Sequence, residues 1–293
     1  MMVCFMAAVM LMSVDCHKDS ISPILPGGAL PGLFSVSATQ QVHFSQGTLQ
    51  YQASTNTWRF AEHQYDYIGS DNSNSSSTYT GWIDLFGWGT SGWNSGAVCY
   101  QPWSTSGSPS DYCTDSSYIN GLTDGYAEAD WAWHNAISNG GNAAHQWRTL
   151  TSAEWDYLLN TRTNASYKCG IGNINGVGGL VILPDNWTLP SGCTFISGFT
   201  ATYDPNNNPD WTLNSYTLSQ WAQMESAGAV FLPAAGSRDG TIVITVGSHG
   251  HYWPSTPNGE NRAFYMLFDS YKLRATGITY RRYGFSVRPV LDN

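Results

Sequence analysis

Apolar and polar positions along this chain fall into short runs whose period changes several times, and two of those changes carry a start signal. In the stretch 147–159, Trp155, Leu158 and Leu159 recur at helical spacing. Thr151 and Glu154 form a capping box ahead of them, so a helix is expected to start there. A second box, Thr217 with Gln220, predicts a helix through Glu225 that Gly228 ends in a left-handed conformation. Strict alternation marks strands instead. In 264–268, Phe264, Met266 and Phe268 share a core face while Tyr265 and Leu267 look outward. In 285–290, Phe285, Val287 and Pro289 lie on one face and Ser286, Arg288 and Val290 on the other, with Pro289 at a strand end or edge. The run 229–233 reads as a short buried strand. Segments 41–44 and 48–51 alternate about Gly47 as a hairpin, and Trp58 to Phe60 starts a further strand. Trp82 to Gly89, aromatic and glycine-rich, reads as packed loop.

These elements predict an α+β fold of short antiparallel strands, two helices and long loops. Composition agrees, since charged residues make up only 11% of the 293 positions against 14% aromatic, with 13 Trp and 30 Gly. No Pro-rich or charged linker interrupts the chain after residue 33, so residues 34–293 are expected to form one domain. A formal charge of −9 argues against nucleic acid as a partner, because that binding rests on Lys and Arg neutralising phosphates. Protein or glycan partners are expected.

The apolar run Val3 to Met12 is too short to span a bilayer and suits the core of an export signal. Ser13 to Asp19 resembles a bacterial lipoprotein processing site with Cys16 as the acylated residue. Residues 1–16 are thus expected to be removed or lipidated, with 17–33, rich in Pro, Gly and Ser, as a flexible tether. The protein would be an exported outer-membrane or cell-surface lipoprotein, touching the membrane through its lipid alone. Cys99, Cys113, Cys169 and Cys193 then remain as an even set in an oxidising compartment. Pairing Cys99 with Cys113 and Cys169 with Cys193 closes two local loops, and the other connectivities stay open.

Candidate chemistry is sparse. The chain carries no G-x-S-x-G, H-E-x-x-H, Walker or dinucleotide motif, and no acid, base or nucleophile stands out, so neither enzyme activity nor a cofactor is expected. His249 and His251 make half of a metal site without an evident third ligand. Asp204 to Asp210 places oxygen ligands at alternate positions, but lacks the glycine and distal glutamate of a calcium loop and reads as a polar turn. Asp124, Glu128 and Asp130 read as solvated carboxylates. The tail from Ala234 onward is different in kind. A frame of Gly, Trp, Phe and Arg-Pro alternates with chemically unrelated residues rich in Tyr, Arg and His, the types that binding patches favour.

The tail's motifs R-D-G-T, V-G-S-x-G-x-Y-W-x-S-T-P and Y-G-F-S-V-R-P-V resemble the variable region of diversity-generating retroelement target proteins. They are also similar to the Fib-succ-major paralogous domain of gut bacterial surface proteins. The helix at Trp147 resembles that of the formylglycine-generating-enzyme family, and the loop 82–89 has counterparts among the surface proteins. The resemblance implies a C-type lectin fold of the formylglycine-generating-enzyme type, with a variable region at 241–283 rewritten by an adenine-directed reverse transcriptase. The family's variable slots fall on Ile242, Ile244, His249, His251, Tyr265, Leu267, Asp269, Tyr271, Arg274, Thr276, Gly277, Ile278, Thr279, Tyr280, Arg282 and Tyr283. Each of these residue types is reachable from an Asn codon by adenine changes alone, whereas Glu260 and Lys272 are not. The cysteines that the enzymes of this family use near the C-terminus have no counterpart, as no Cys follows Cys193. The implied function is a diversified cell-surface receptor or adhesin for a protein or glycan on another cell, a phage or a host. The alternative is a static adhesin in which Trp82, Trp88, Trp93 or Trp103 stacks on sugars.

Overall fold

A computed structural model describes residues 25, 27–92, 100–118, 122, 130–200 and 209–293. In chain order it contains β1 (Phe34–Ser35), β2 (Gln41–Phe44), β3 (Leu49–Gln52), β4 (Thr57–Phe60), β5 (Arg148–Thr149) and α1 (Ser152–Asp156). These are followed by β6 (Cys169–Ile174), β7 (Val177–Ile182), β8 (Ser215–Tyr216), α2 (Leu218–Ser226) and β9 (Val230–Pro233). The tail adds β10 (Ser237–Asp239), β11 (Ile242–Ile244), β12 (Gly250–Tyr252), β13 (Pro257–Asn258), β14 (Arg262–Phe268), β15 (Leu273–Tyr280) and β16 (Pro289–Asp292). The architecture is α+β, built mostly of short antiparallel strands.

Both capping boxes form. The Thr151 hydroxyl accepts from the Glu154 amide while the Glu154 carboxylate accepts from the Thr151 amide, and Thr217 and Gln220 repeat the arrangement. Beyond α1 the chain makes one wider, π-helical turn, Tyr157–Thr161, in which the Arg162 amide reaches the Tyr157 carbonyl. Gly228, with φ 97°, ends α2 and leads into β9.

One sheet has the order β1-β2-β16-β5, so the final strand lies between two early ones. Pro289 is the first residue of β16, where its missing amide proton costs least. A second sheet runs β8-β6-β7-β9, and β12, β13 and β15 all pair with β14. Isolated bridges stitch the tail together. Gly236 pairs with Gly250, Arg238 with Gly284, Tyr252 with Ser286 and Phe86 with Phe285. Segment 284–286 therefore lies between β10 and β12, joining hairpin β10–β11 to the β12-β14-β15 sheet.

The first core cluster gathers Phe34, Phe44, Trp155, Leu158, Ile171, Leu180, Leu232, Tyr252, Met266 and Phe268. A second, rich in aromatic rings, holds Trp58, Phe60, Phe86, Trp88, Trp131, Trp147, Trp253 and Phe285 beside Leu49, Ile83, Ile137 and Val287. A third packs Trp221 and Met224 of α2 against Val181 and Phe231. The loop 82–89 is buried from Ile83 onward, with Trp88 Nε1 donating to the Pro254 carbonyl at 2.9 Å.

Several expectations are corrected. Residues 41–51 do not form a hairpin. Strand β2 pairs with β1 and β16, and β3 pairs with β4 through a turn closed by left-handed Asn56. Gly47 instead packs under Ala61, whose carbonyl oxygen would lie 2.5 Å from any added Cβ. Residues 27–33 are part of the domain, since Leu30 is buried with its amide bonded to the Phe44 carbonyl. Phe264 is half-buried, while Arg288 lies in the interior.

Cys169 and Cys193 are both free thiols. Cys169 joins Ile171, Leu180 and Ile182 in the first cluster and Cys193 joins Val181 and Leu183 in the third, so the second sheet separates them. Cys16 and Cys99 lie outside the described residues, as do Trp93, Asp124, Glu128 and residues 204–208 of the polar turn. No helix among the described residues is long and apolar enough to cross a membrane.

The loop 82–89 is pinned by one buried carboxylate. Asp84 accepts from the Ile68 amide and from Asn72 Nδ2, both at 2.8 Å, and Asn72 Oδ1 accepts from the Asp84 amide at 2.9 Å. Burial outweighs these bonds and pushes the carboxyl up to about 6. A folded-state value above the unfolded one favours the protonated acid, so this contribution is full below the ordinary carboxylate range and is lost as pH rises through about 6. Relative to Asp84→Asn, the wild type is expected to lose roughly 2–3 kcal/mol of stability between pH 4 and pH 7, read from urea denaturation at each pH. A pH-independent difference would contradict it.

Candidate ligand-binding face

The tail builds its surface outward from Phe285. Its backbone exchanges hydrogen bonds with Phe86 in both directions, at 2.9 and 3.0 Å. Its ring lies on Trp253 at 4.4 Å between centroids, and Trp253 Nε1 donates to the Phe86 carbonyl at 2.7 Å. Half-buried aromatic rings surround this plate. His251 stacks at 4.8 Å, Tyr265 lies at 5.5 Å and Tyr283 at 6.1 Å, with His249 stacked on His251 at 5.9 Å. Tyr265 reaches its place because the residue across from it is Gly277, where an added Cβ would come within 2.5 Å of the phenol ring.

Strand geometry divides the remaining slots. Opposed residues of paired strands share a side, so His251, Leu267 and Arg274 lie together, as do Tyr265 and Gly277. A bulge between Tyr265 and Leu267 sets this register by adding a residue to β15. Ile278 lies opposite Phe264 and Tyr280 opposite Arg262, on the other side of the sheet. Consecutive slots from Thr276 to Tyr280 therefore cannot all face one ligand, because neighbours in a strand point in opposite directions. The face is two-sided at β15.

Exposure sorts the same residues. Ile242 is 67% exposed and Ile244 50%, and Arg274, Thr276 and Ile278 are exposed along β15. Tyr271, Thr279 and Tyr280 are half-buried. Leu267, at 9%, and Gly277 are buried. Asp269 is 2% exposed and shapes the β14–β15 turn, its Oδ1 accepting from the amides of Tyr271 and Lys272 at 3.0 Å each. Arg282 spans the surface internally: Nη1 donates to Asp239 Oδ1 at 2.7 Å and to the Gly107 carbonyl at 2.8 Å, while its guanidinium lies over Tyr283.

Two exposed residues join the face that the slot pattern omits. Val246 is 38% exposed in the turn just after β11, and Arg262 lies over the Tyr280 ring at 4.8 Å. Val246 was visible in the sequence as one more apolar residue after Ile244, whereas the Arg262–Tyr280 pair depends on hairpin register. Among the tryptophans considered for sugar stacking, Trp88 is buried, and Trp82 is half-buried beneath the Arg59 guanidinium at 3.8 Å. Trp103 is half-buried.

Burial holds both imidazoles neutral at pH 7. It lowers His251 to about 4, with His249 adding to the shift, and it lowers His249 despite Asp269 Oδ2 at 3.9 Å. Among the described residues no group of three or more His, Cys, Asp or Glu is arranged to hold a metal. Flat neutral rings, phenol hydroxyls and guanidinium groups on a buried aromatic plate suit stacking and hydrogen bonding to a ligand.

The His251 ring is expected to titrate near pH 4 when followed by its NMR ring-proton shifts. A midpoint near the ordinary 6.5 would mean that the stack is open to water. Phe285→Ala is expected to cost about 3–5 kcal/mol in chemical denaturation, the cost of emptying a buried aromatic site. Compared with known protein families, curated proteins and solved structures, the chain matches none of them.

Proposed function

We propose that this chain is a cell-surface ligand-binding protein of the retroelement-diversified kind, with a C-type lectin fold of the formylglycine-generating-enzyme type. It is exported, anchored through a lipid on Cys16, and binds a protein or glycan on another cell, a phage or a host. The observation that carries this reading is the layer of His251, Tyr265 and Tyr283 on buried Phe285. A residue of the frame supports the very side chains that the slot pattern marks as variable. Exposed Ile242, Ile244, Arg274 and Thr276 extend that layer with side chains that carry little of the packing. Their replacement changes what the surface recognises at small cost to the fold. Affinity comes from rigid aromatic and Arg side chains on a stiff support.

Replacing Tyr271, Arg274 and Tyr280 together with Ala is expected to change stability by about 1 kcal/mol or less, while binding to intact cells, phage particles or arrayed glycans falls at least about tenfold. Unfolding of the triple variant, or unchanged binding, would overturn the assignment. Deep sequencing of codons 241–283 in a grown population tests diversification. Adenine-linked variation at the slots with Trp253, Phe285 and Arg288 constant supports it, and a uniform segment without a neighbouring near-copy reduces the protein to a static adhesin.

A further inference from the structure

Away from the tail, a cleft of about 680 Å³ lies between β1, β2, the π-helical turn after α1 and the loop following β7. Wider turns of this kind often mark functional sites, and here the turn supplies Tyr157 and Arg162 to the wall. The floor is an internally satisfied ion pair. Arg162 Nη1 donates to Asp185 Oδ1 at 3.0 Å, while Nε and Nη2 donate to the Leu158 and Leu183 carbonyls at 2.8 Å each. Asp185 Oδ2 accepts from the Ser35 amide and hydroxyl, each at 2.7 Å, and from Gln41 Nε2 at 2.9 Å. Neither member of this pair has much left to offer a ligand.

Lys168 differs. Its ammonium donates to the Asp185 backbone carbonyl at 2.6 Å and stands 3.9 Å from the carboxylate, which leaves donors free for a ligand. With Arg162 and Asp185 balancing each other, the lining carries one net positive charge on a chain of net −9. Around the mouth stand Tyr157, Tyr167 and Trp187, and Tyr167 is 72% exposed with no structural work for its ring. The side chains of Thr163, Asn164 and Asn186 add hydroxyl and amide groups. An open aromatic ring beside several neutral polar groups is the chemistry that holds a sugar, which presents a C–H face and a rim of hydroxyls.

We infer that this cleft is a binding site, separate from the tail, for a saccharide bearing a carboxylate, with its ring on Tyr167 and its acid on the Lys168 ammonium. A carboxylate fits better than a phosphate because the Arg162 fork, the group suited to phosphate, is already consumed by Asp185 and two carbonyls. A neutral sugar would leave the Lys168 charge unused.

The test is calorimetric titration of the full chain with oligogalacturonides and with sialyllactose, each beside its neutral counterpart. Acidic sugars are expected to bind at least about tenfold more tightly than neutral ones. Tyr167→Ala, at an exposed position that the fold does not need, weakens both classes. Lys168→Gln removes the preference for acid, and the triple alanine variant of the tail leaves this binding unchanged. Tight binding by one acidic sugar alone identifies which acid is preferred and supports the inference. No binding of either acid at millimolar concentration, equal binding of neutral sugars, or binding indifferent to Tyr167→Ala and Lys168→Gln would each overturn it. Loss of binding in the tail variant but not in the cleft variants would transfer the sugar to the tail.

Discussion

Buried backbone carbonyls set the terms of this structure. A chain with few helices and many two- to four-residue strands leaves long stretches of main chain without ladder partners, and such groups are costly in an interior unless something bonds them. Three fully buried arginines supply the donors. Arg238 reaches the carbonyls of Leu85 and Ser104, Arg281 those of Arg262 and Gly259, and Arg288 that of Phe231 together with Gln64 Oε1. Each ties a loop of the first half to the tail, or one part of the tail to another. The charge is the disadvantage of the device, and burial lowers Arg288 to about 10, which still leaves it protonated at neutral pH. Arg281 offsets part of its desolvation against the Trp88 ring at 4.3 Å.

The same stitching makes a rigid surface out of short elements. Segment 284–286 is held between β10 and β12 by bridges rather than by a long strand, and Phe285 inside it is fixed on one side by Phe86 and Trp253. Its other side carries the half-buried rings of His251, Tyr265 and Tyr283. Under the proposed function, stability and recognition meet at this residue through different neighbours. Gly277 couples to this point through Tyr265, so a side chain at that slot would move a ring at the centre of the face.

The cleft by β1 follows another logic. There the ion pair of Arg162 and Asp185 is closed on itself, which avoids an uncompensated buried charge and leaves Lys168 as the group that sets the sign of the cleft. The tail face is open, apolar in stripes and carried by rings. The two surfaces differ in chemistry, and no residue of the cleft lining belongs to the tail.

Much of the local structure was legible in the sequence because it is decided within a few residues. The capping boxes at Thr151 and Thr217, the left-handed stop at Gly228, the buried strand before Ala234 and the packed aromatic loop at 82–89 all depend on local bonding or on composition that admits little else. The contrast in the tail between a frame of Gly, Trp and Phe and a scatter of Tyr, Arg and His was visible in the sequence as well. What the sequence could not carry was partnership. Residues 41–51 alternate as a hairpin would, yet β2 finds the C-terminal strand and β3 finds β4, because pairing is won by whichever distant edge buries the apolar face. Cys169 and Cys193 lie close along the chain, yet a sheet separates them. Contiguous slots from Thr276 to Tyr280 face two ways, and buried Arg288 reads in sequence like any alternating polar residue. By itself the sequence determined where the two helices start, where the second one stops, and which residue types are available for binding. Tertiary structure alone decided which of them meet, since facing and burial are properties of strand register and long-range contact rather than of neighbours in the chain.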